Sequence, residues 1–281
     1  MLTLGRLGCG RLVCLTTSLD AGALSGWRFL RVGRRLPRSR PVLLDSRDAS
    51  IQVISMQRDH REQLQQSWQA NADAWAAAVR EQRIESRRLV TDAAIIQAVL
   101  ALQPKRVLDI GCGEGWLCRG LAEHGIEPVG VDASAPLIEA ARAACDGRSQ
   151  YRVCGYAELE EHAEQLGRFE VLVCNFALLE EPLQPILRSL HRLLAPGGSL
   201  LIQTLHPWRA SHGEPYQDGW RVEDFIGFGE GFQAPMPWFF RTLQSWLTLI
   251  GETGWRLEWL QEPLHPESVQ PVSLLLLLKP L

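Results

Sequence analysis

Lysine is almost missing from this chain: Lys105 and Lys279 are the only two, and every other basic side chain apart from histidine is an arginine. With a net charge of −3 and no basic stripe, the sequence lacks the electrostatic footprint that a long polyanion requires, so no extended nucleic-acid surface is expected. No apolar stretch reaches the ~18 residues that span a bilayer, and no membrane span is expected. The longest run, SLLLLLKPL, is strand-sized and closes beside Lys279. Seven cysteines (Cys9, Cys14, Cys112, Cys118, Cys145, Cys154 and Cys174) include no CxxC pair. That excludes a zinc ribbon and a disulfide framework, and reduced, buried thiols in a cytoplasmic protein fit best. No metal is expected.

What is present belongs to an ordinary globular chain. At 281 residues, 46% hydrophobic and 22% charged, it can bury one large core or two small ones. Residues 1–55 differ from the rest: Arg28, Arg31, Arg34 and Arg35 stand among few acids, without a sustained period. Such a leader has the composition of a transit peptide. Arg6, Arg11 and Asp20 interrupt any secretory apolar region, and Met56 offers an alternative start. This segment is expected to be poorly ordered and to contribute nothing to chemistry.

From Arg58 the period becomes helical, with Leu64, Trp68, Ala72 and Trp75 at three- and four-residue spacing. A second helix is predicted from about Thr91 to Leu102, capped by Thr91 or Asp92 and followed by Pro104. Short apolar runs then alternate with helical segments: RVLDI, Gly115 to His124, PVGVD, Ala135 to Ala144, QYRVC, Ala157 to Leu166, FEVLVCN, Leu183 to Leu194 and SLLIQTL. Continuous Val, Leu and Ile in the strands predict a parallel sheet covered by helices on both faces. The fold class is α/β, doubly wound, with its ligand at the carboxyl ends of the strands. Residues 206–237 break this rhythm with Gly, Pro and aromatics and read as a long functional loop. A helix from Phe239 to Gly251 and two edge strands, WRLEWL and VSLLLLL, complete the chain.

The stretch VLDIGCGEGW carries the chemistry. Gly111, Gly113 and Gly115 follow a strand and open a helix, where a ligand can approach the backbone and the first helical N–H groups. The spacing is not a dinucleotide fingerprint, because the position of the third glycine of GxGxxG is taken by Trp116. Asp109 precedes the loop and suits a cationic amino group rather than a phosphate. The next strand ends at Asp132, where a carboxylate can accept both ribose hydroxyls, although Asp132 also suits the N-cap of the helix that follows. The implied ligand has an adenosine, a cationic amino-acid tail and no phosphate.

With VLDIGCGEG, VGVDAS, FEVLVCN and LAPGGSLLI at these intervals, the chain resembles the class I S-adenosylmethionine-dependent methyltransferases over roughly residues 60–281, including those that act on ubiquinone precursors and other small molecules. The resemblance implies a Rossmann-like, seven-stranded, mostly parallel sheet with a reversed last strand. It implies S-adenosyl-L-methionine held by Asp109, Gly111, Cys112, Gly113, Gly115, Asp132, Ala133, Asn175 and Phe176. Relatives often carry an acid at the adenine contact after the third strand; here CGYAELE places Tyr156 there, so stacking by Tyr156 or a backbone contact at Ala157 replaces it. Cys112 reads as a small filler rather than a nucleophile.

Residues 56–104 are expected to form part of a lid over a methyltransferase domain at 105–281, completed by an insertion at 206–237. Trp68, Trp75, Trp208 and Trp238 are its candidate acceptor contacts, whereas Trp246 and Trp255 read as core. His206, just past the fifth strand and stiffened by Pro207, is the candidate general base; His212 and His265 are weaker. Arg87, Arg88, Arg209 and Arg241 suit either an acceptor carboxylate or solvent. The fourth strand ends NFALLE, not in the Asn/Asp-Pro-Pro-aromatic run of adenine amino-methylases. A small-molecule acceptor, methylated by in-line displacement in a monomer or homodimer, is the expectation. The alternatives are a tRNA or carrier-protein methyltransferase and a non-catalytic donor-binding subunit. A nicotinamide oxidoreductase is disfavoured by Trp116.

Overall fold

The computed structural model describes residues 46–281 apart from Asp146, with side chains from Arg58 onward. The expectations for residues 1–45 lie outside the described residues.

Seven strands form one sheet: β1 (Arg106–Ile110), β2 (Glu127–Asp132), β3 (Gln150–Val153), β4 (Phe169–Asn175), β5 (Leu194–Leu205), β8 (Trp255–Gln261) and β9 (Ser273–Pro280). Their order is β3-β2-β1-β4-β5-β9-β8. The pairs from β3 to β5 are all parallel, and β9 runs antiparallel to both β5 and β8. The strand order reverses between β1 and β4, which is where such sheets open a crevice at their carboxyl ends.

Helices α3 (Asp92–Ala101), α4 (Trp116–Glu123) and α5 (Ala135–Ala143) cover one face. Ile95, Val99, Leu117 and Leu121 pack there on Val107, Val171, Val173 and Leu201. Shorter helices α6 (Tyr156–Leu159), α7 (Ala163–Leu166) and α8 (Gln184–Ser189), with α10 (Leu243–Glu252), cover the other. Trp246 and Trp255 are buried within that second layer, as expected. In β9 the alternate leucines divide between the layers: Leu274, Leu276 and Leu278 face one core, Leu275 and Leu277 the other. A strand buried on both faces needs no polar alternation, which explains the unbroken LLLLL run; each such side chain stabilises the fold by about 2 kcal/mol.

Five local expectations need correction. The helix expected from Arg58 begins at Ser46: α1 spans Ser46–Ala70, runs through Met56 and is followed by α2 (Ala72–Arg80). The helix expected from Thr91 is preceded by a π-helical turn, Arg87–Thr91, so neither Thr91 nor Asp92 starts it as a cap. The single helix expected over Ala157–Leu166 is two one-turn pieces, α6 and α7, separated by a turn at 160–162. The run 206–237 is not structureless: it holds α9 (Pro207–Ala210) and β6 (Gly219–Glu223), and β6 pairs antiparallel with β7 (Met236–Phe240). Phe239 and Phe240 therefore end a strand, and α10 starts only at Leu243, where Thr242 Oγ1 accepts the Ser245 amide at 3.2 Å. A side-chain cap, not the apolar run, sets that helix start.

Candidate functional site

The loop after β1 is held by backbone bonds before any ligand is considered. The amides of Gly111 and Cys112 both donate to the Val131 carbonyl, at 2.8 and 3.0 Å. Gly111, Gly113 and Gly115 all have φ between +56° and +81°, a region open to glycine and costly to other residues. Two of them are also boxed in: a Cβ at Gly111 would lie 2.5 Å from the Cβ of Ala177, and one at Gly115 would lie 2.6 Å from Tyr151. Gly113 differs. The nearest atom to its missing Cβ is Trp75 Nε1 at 3.6 Å, so this glycine lies beneath the helix that carries Trp75.

Two carboxylates flank the loop. Asp109 is buried, with Oδ2 accepting from the Cys118 thiol at 3.7 Å and Oδ1 without a partner. Burial, the largest influence, raises its pKa from 3.8 to about 7, and the neighbouring Asp132 adds to the rise. Asp132 accepts the Gly113 amide on Oδ2 at 2.9 Å and the Ser134 amide on Oδ1 at 2.8 Å. The N-cap of α5 is Ser134 and not Asp132, which ends β2 and instead braces the glycine loop through Gly113 and the turn into α5 through Ser134. Each oxygen retains a lone pair for a ribose hydroxyl. Surrounding protein desolvates the carboxylate and raises its pKa, against the pull of those two amides, although part of the side chain still reaches the surface.

These residues fit the expected donor. An acid at each side of a glycine loop repels a pyrophosphate and suits a cationic tail joined to a ribose, and the orphaned Asp109 Oδ1 awaits a proton donor. A second orphan, Asn175 Oδ1, lies at the end of β4. Next to it Phe176 has φ +52° and donates its amide to the Gln203 carbonyl at 2.7 Å. Arg87, in the π-helical turn, spends Nε on Asp92 at 3.0 Å and stacks 4.6 Å from the Trp116 ring centroid. Its Nη2 is buried without a partner, a free donor suited to a carboxylate.

Other sequence candidates fall out differently. The Cys112 thiol is buried and points at Gly130, where a Cβ would lie 2.7 Å from its sulfur, so it fills space as expected. Ala133 is exposed beyond Asp132. Tyr156 donates its hydroxyl to the Ala177 carbonyl at 2.7 Å, bridging the ends of β3 and β4. Ala157 follows it in the first turn of α6, and Glu158 is spent on the Gly155 amide at 2.8 Å.

Above the loop lies an aromatic cover. Trp68, Trp75 and Trp238 join Leu64, Leu179, Phe225, Phe228, Phe232 and Met236 in one apolar cluster. Trp208 does not: it lies on α9, half-exposed, outside that cluster. The cover is fastened by Asn71, a residue with no exposed surface between α1 and α2. Its Oδ1 accepts the amides of Gln233 at 2.7 Å and Ala234 at 3.2 Å, and its Nδ2 donates to the Ala234 carbonyl at 2.7 Å. The hairpin also reaches the β4 loop, where the Phe239 amide donates to the Leu179 carbonyl at 2.7 Å. Arg241 is buried on Glu181 rather than facing solvent, and the partly exposed Arg61 donates to the Glu181 carbonyl, so both arginines tie the cover to the loop after β4. Beside them burial raises the pKa of Glu180, with Arg61 and Arg241 opposing.

His206 is buried, its Nε2 2.7 Å from Glu262 Oε1 and its Nδ1 without a partner. If Glu262 accepts, the neutral ring carries its proton on Nε2 and presents Nδ1 as an acceptor. The sequence placed Asn71 on the expected lid helix between Trp68 and Trp75 but without its backbone partners, and its motifs did not identify Glu262 or the inward-facing Glu114. Among the described residues no helix is long and apolar enough to cross a membrane, and no group of three metal-ligating side chains is present.

Comparison with known proteins agrees with this geometry. A family model described as a methyltransferase domain matches residues 82–257. A ubiquinone biosynthesis O-methyltransferase of Xanthomonas oryzae pv. oryzae is 36% identical over 116 residues, 40% of this chain and 47% of that protein. The chain thus spans about half the length of the curated relatives it matches. Among solved structures, an S-adenosylmethionine-dependent methyltransferase from Mesorhizobium loti superposes with a TM-score of 0.50 at 24% identity, over 65% of this chain and 95% of that one. The structure described as a DhpI-SAM-HEP complex does so with a TM-score of 0.53 at 18% identity, over 78% and 98%. At these identities the superpositions speak for the fold alone.

Proposed function

This chain belongs to the class I S-adenosylmethionine-dependent methyltransferases, and from that premise we propose that it transfers a methyl group to a small-molecule acceptor enclosed under the aromatic cover. The observation that carries the proposal is the pairing of two flanking carboxylates, Asp109 and Asp132, with a glycine loop roofed by Trp75. S-adenosylmethionine supplies a methyl already activated by a sulfonium charge, so the protein's task is alignment and exclusion of water. Asp132 receives the ribose hydroxyls and Asp109 the ammonium, while Arg87 Nη2 takes the carboxylate. Asn175 and the backbone at Phe176 border the methyl side. Tyr156 and Ala157 form the adenine end.

The cover supports the choice of a small acceptor. Its residues are apolar and aromatic, with Trp68, Trp75 and Trp238 among them, and Arg87 and Arg221 each lie 5.9 Å from a ring centroid, of Trp75 and Trp238 respectively. His206 is assigned as the base for acceptors that must lose a proton, with Glu262 fixing its tautomer. A protein with these parts works without a membrane span or a nucleic-acid surface, as a cytoplasmic monomer or homodimer.

The test is calorimetric titration with S-adenosylhomocysteine, followed by incubation of the protein with labelled donor and cell extract and mass spectrometry of the product. Micromolar binding that Asp132→Ala weakens by about 10-fold or more, roughly 1.4 kcal/mol, is expected. Unchanged affinity in Asp132→Ala would overturn the donor assignment. A labelled protein or RNA in place of a small product would overturn the acceptor class.

A further inference from the structure

Glu114 stands between Gly113 and Gly115, yet its side chain turns inward and has no exposed surface. Two guanidiniums meet it there. Arg119 of α4 donates Nη2 to both carboxylate oxygens at 2.8 Å and Nη1 to the Glu114 carbonyl at 2.6 Å. This pair is local, five residues apart, and stiffens the loop itself. Arg80 comes from elsewhere: it ends α2, 34 residues earlier, and donates Nε to Glu114 Oε2 at 2.8 Å and Nη2 to the Ala140 carbonyl at 3.0 Å.

The two arginines are not equivalent in exposure. Arg119 is 23% exposed and Arg80 42%. A buried carboxylate stripped of all cations is strongly destabilising. With Arg119 in place, Arg80 can swing into water without leaving that charge unpaired, so its bond is reversible. Helix α2 meanwhile lies between the two halves of the site. One turn carries Trp75 over Gly113, and Asn71 at its start holds the Gln233 and Ala234 backbone of the aromatic cover. A continuous path therefore runs from Asp132 and Gly113 through Glu114 and Arg80 to Asn71 and the cover.

We propose that the Glu114–Arg80 ion pair is a positioning device that couples donor binding at the glycine loop to the seating of the acceptor cover. The inference rests on the reading that this loop holds the methyl donor. A ligand that orders the loop fixes Glu114, which favours the docked Arg80 and with it the docked α2. By linkage, a seated cover strengthens donor binding by the same factor.

Hydrogen exchange of the full chain, with and without S-adenosylhomocysteine, tests this at the two amides that Asn71 Oδ1 accepts. In the wild type the ligand slows exchange at Gln233 and Ala234 by about tenfold, within the usual range of coupling between sites. Arg80→Met weakens S-adenosylhomocysteine binding by no more than that same factor of about tenfold but loses the ligand-dependent slowing, and Arg80→Lys restores part of it. Undiminished slowing in Arg80→Met overturns the coupling, as does a uniform rise in exchange that leaves the ligand-dependent ratio intact, which is what simple destabilisation gives. S-adenosylhomocysteine that binds the wild type without slowing those amides also overturns the coupling, and it leaves the donor site standing. Failure of the wild type to bind S-adenosylhomocysteine overturns the donor reading and the coupling with it.

Discussion

The proposed donor side and the proposed acceptor side of this site are built by opposite means. Around the glycine loop the contacts are polar, short and largely made by backbone: Val131 fixes the loop, Asp132 braces it, and positive φ selects glycine three times. Over the loop, the cover is a cluster of rings fastened by Asn71, by Arg241 on Glu181 and by the Phe239 amide on Leu179. The donor seat has a single purpose and a fixed shape, whereas packing of aromatic side chains accepts exchange of one apolar group for another at modest cost. The same framework can thus keep one methyl donor while its cover is altered to receive different acceptors.

That contrast predicts which changes break which half. The largest effect is expected from Gly113→Val: a β-branched side chain at φ +56° both strains the backbone and fills the donor seat. S-adenosylhomocysteine affinity should drop about 100-fold or more, equivalent to some 2.8 kcal/mol, with far-ultraviolet circular dichroism unchanged. Retained affinity would remove the loop from the site.

Next comes Asn71→Ala, which leaves the Gln233 and Ala234 amides without their acceptor. Chemical denaturation should show a loss of about 1–3 kcal/mol, because the Gln233 and Ala234 amides, themselves only partly buried, lose a fully buried acceptor. Donor affinity should fall by no more than about tenfold, the coupling expected between the two halves; a collapse of donor binding would show that they are one unit.

A third, intermediate effect is on pH. Asp109 has its folded pKa raised to about 7 from 3.8, so the folded protein holds a proton that the unfolded chain releases. That contribution to stability is complete below about pH 4 and is lost as pH rises to about 7. A cationic amino group reverses the preference, and S-adenosylhomocysteine should bind more tightly as pH rises from 5.5 to 7.5, on titration calorimetry in buffers of different ionisation enthalpy. Asp109→Asn should flatten both profiles; an unchanged pH slope in that variant would dissociate Asp109 from the donor. The smallest effect is reserved for Trp208→Ala. As a half-exposed ring outside the cluster it should alter stability by less than about 0.5 kcal/mol. A large rise in acceptor KM would restore it to the acceptor site.

Much of the donor side was legible in the sequence because its determinants are local. Strand β1, the three glycines and Asp109 lie within ten consecutive residues, 106–115, and their spacing carries the geometry. The acceptor side was not, since Asn71 meets Gln233 and Ala234 across more than 160 positions and nothing in the intervening chain marks the pairing. The β6–β7 hairpin was missed for a related reason. Gly219 and Pro237 are poor strand formers, and the pair is held by cross-strand partners such as Trp220 with Phe239 rather than by propensity. Glu114 was overlooked between two glycines that drew the eye, and only the fold brings Arg80 to it. The π-helical turn at Arg87–Thr91 left no periodic trace in so short a segment.

Strand β9 also constrains how the chain is made. It is the last strand in sequence but lies inside the sheet, between β5 and β8. During synthesis β5 keeps an open edge and β8 has no neighbour until Ser273–Pro280 leaves the ribosome and is threaded between them. The half that contains the glycine loop has its parallel partners much earlier. A nascent chain arrested before Ser273 would therefore present a nearly finished crevice next to an unpaired leucine-lined border, a form prone to capture by chaperones or by its own copies.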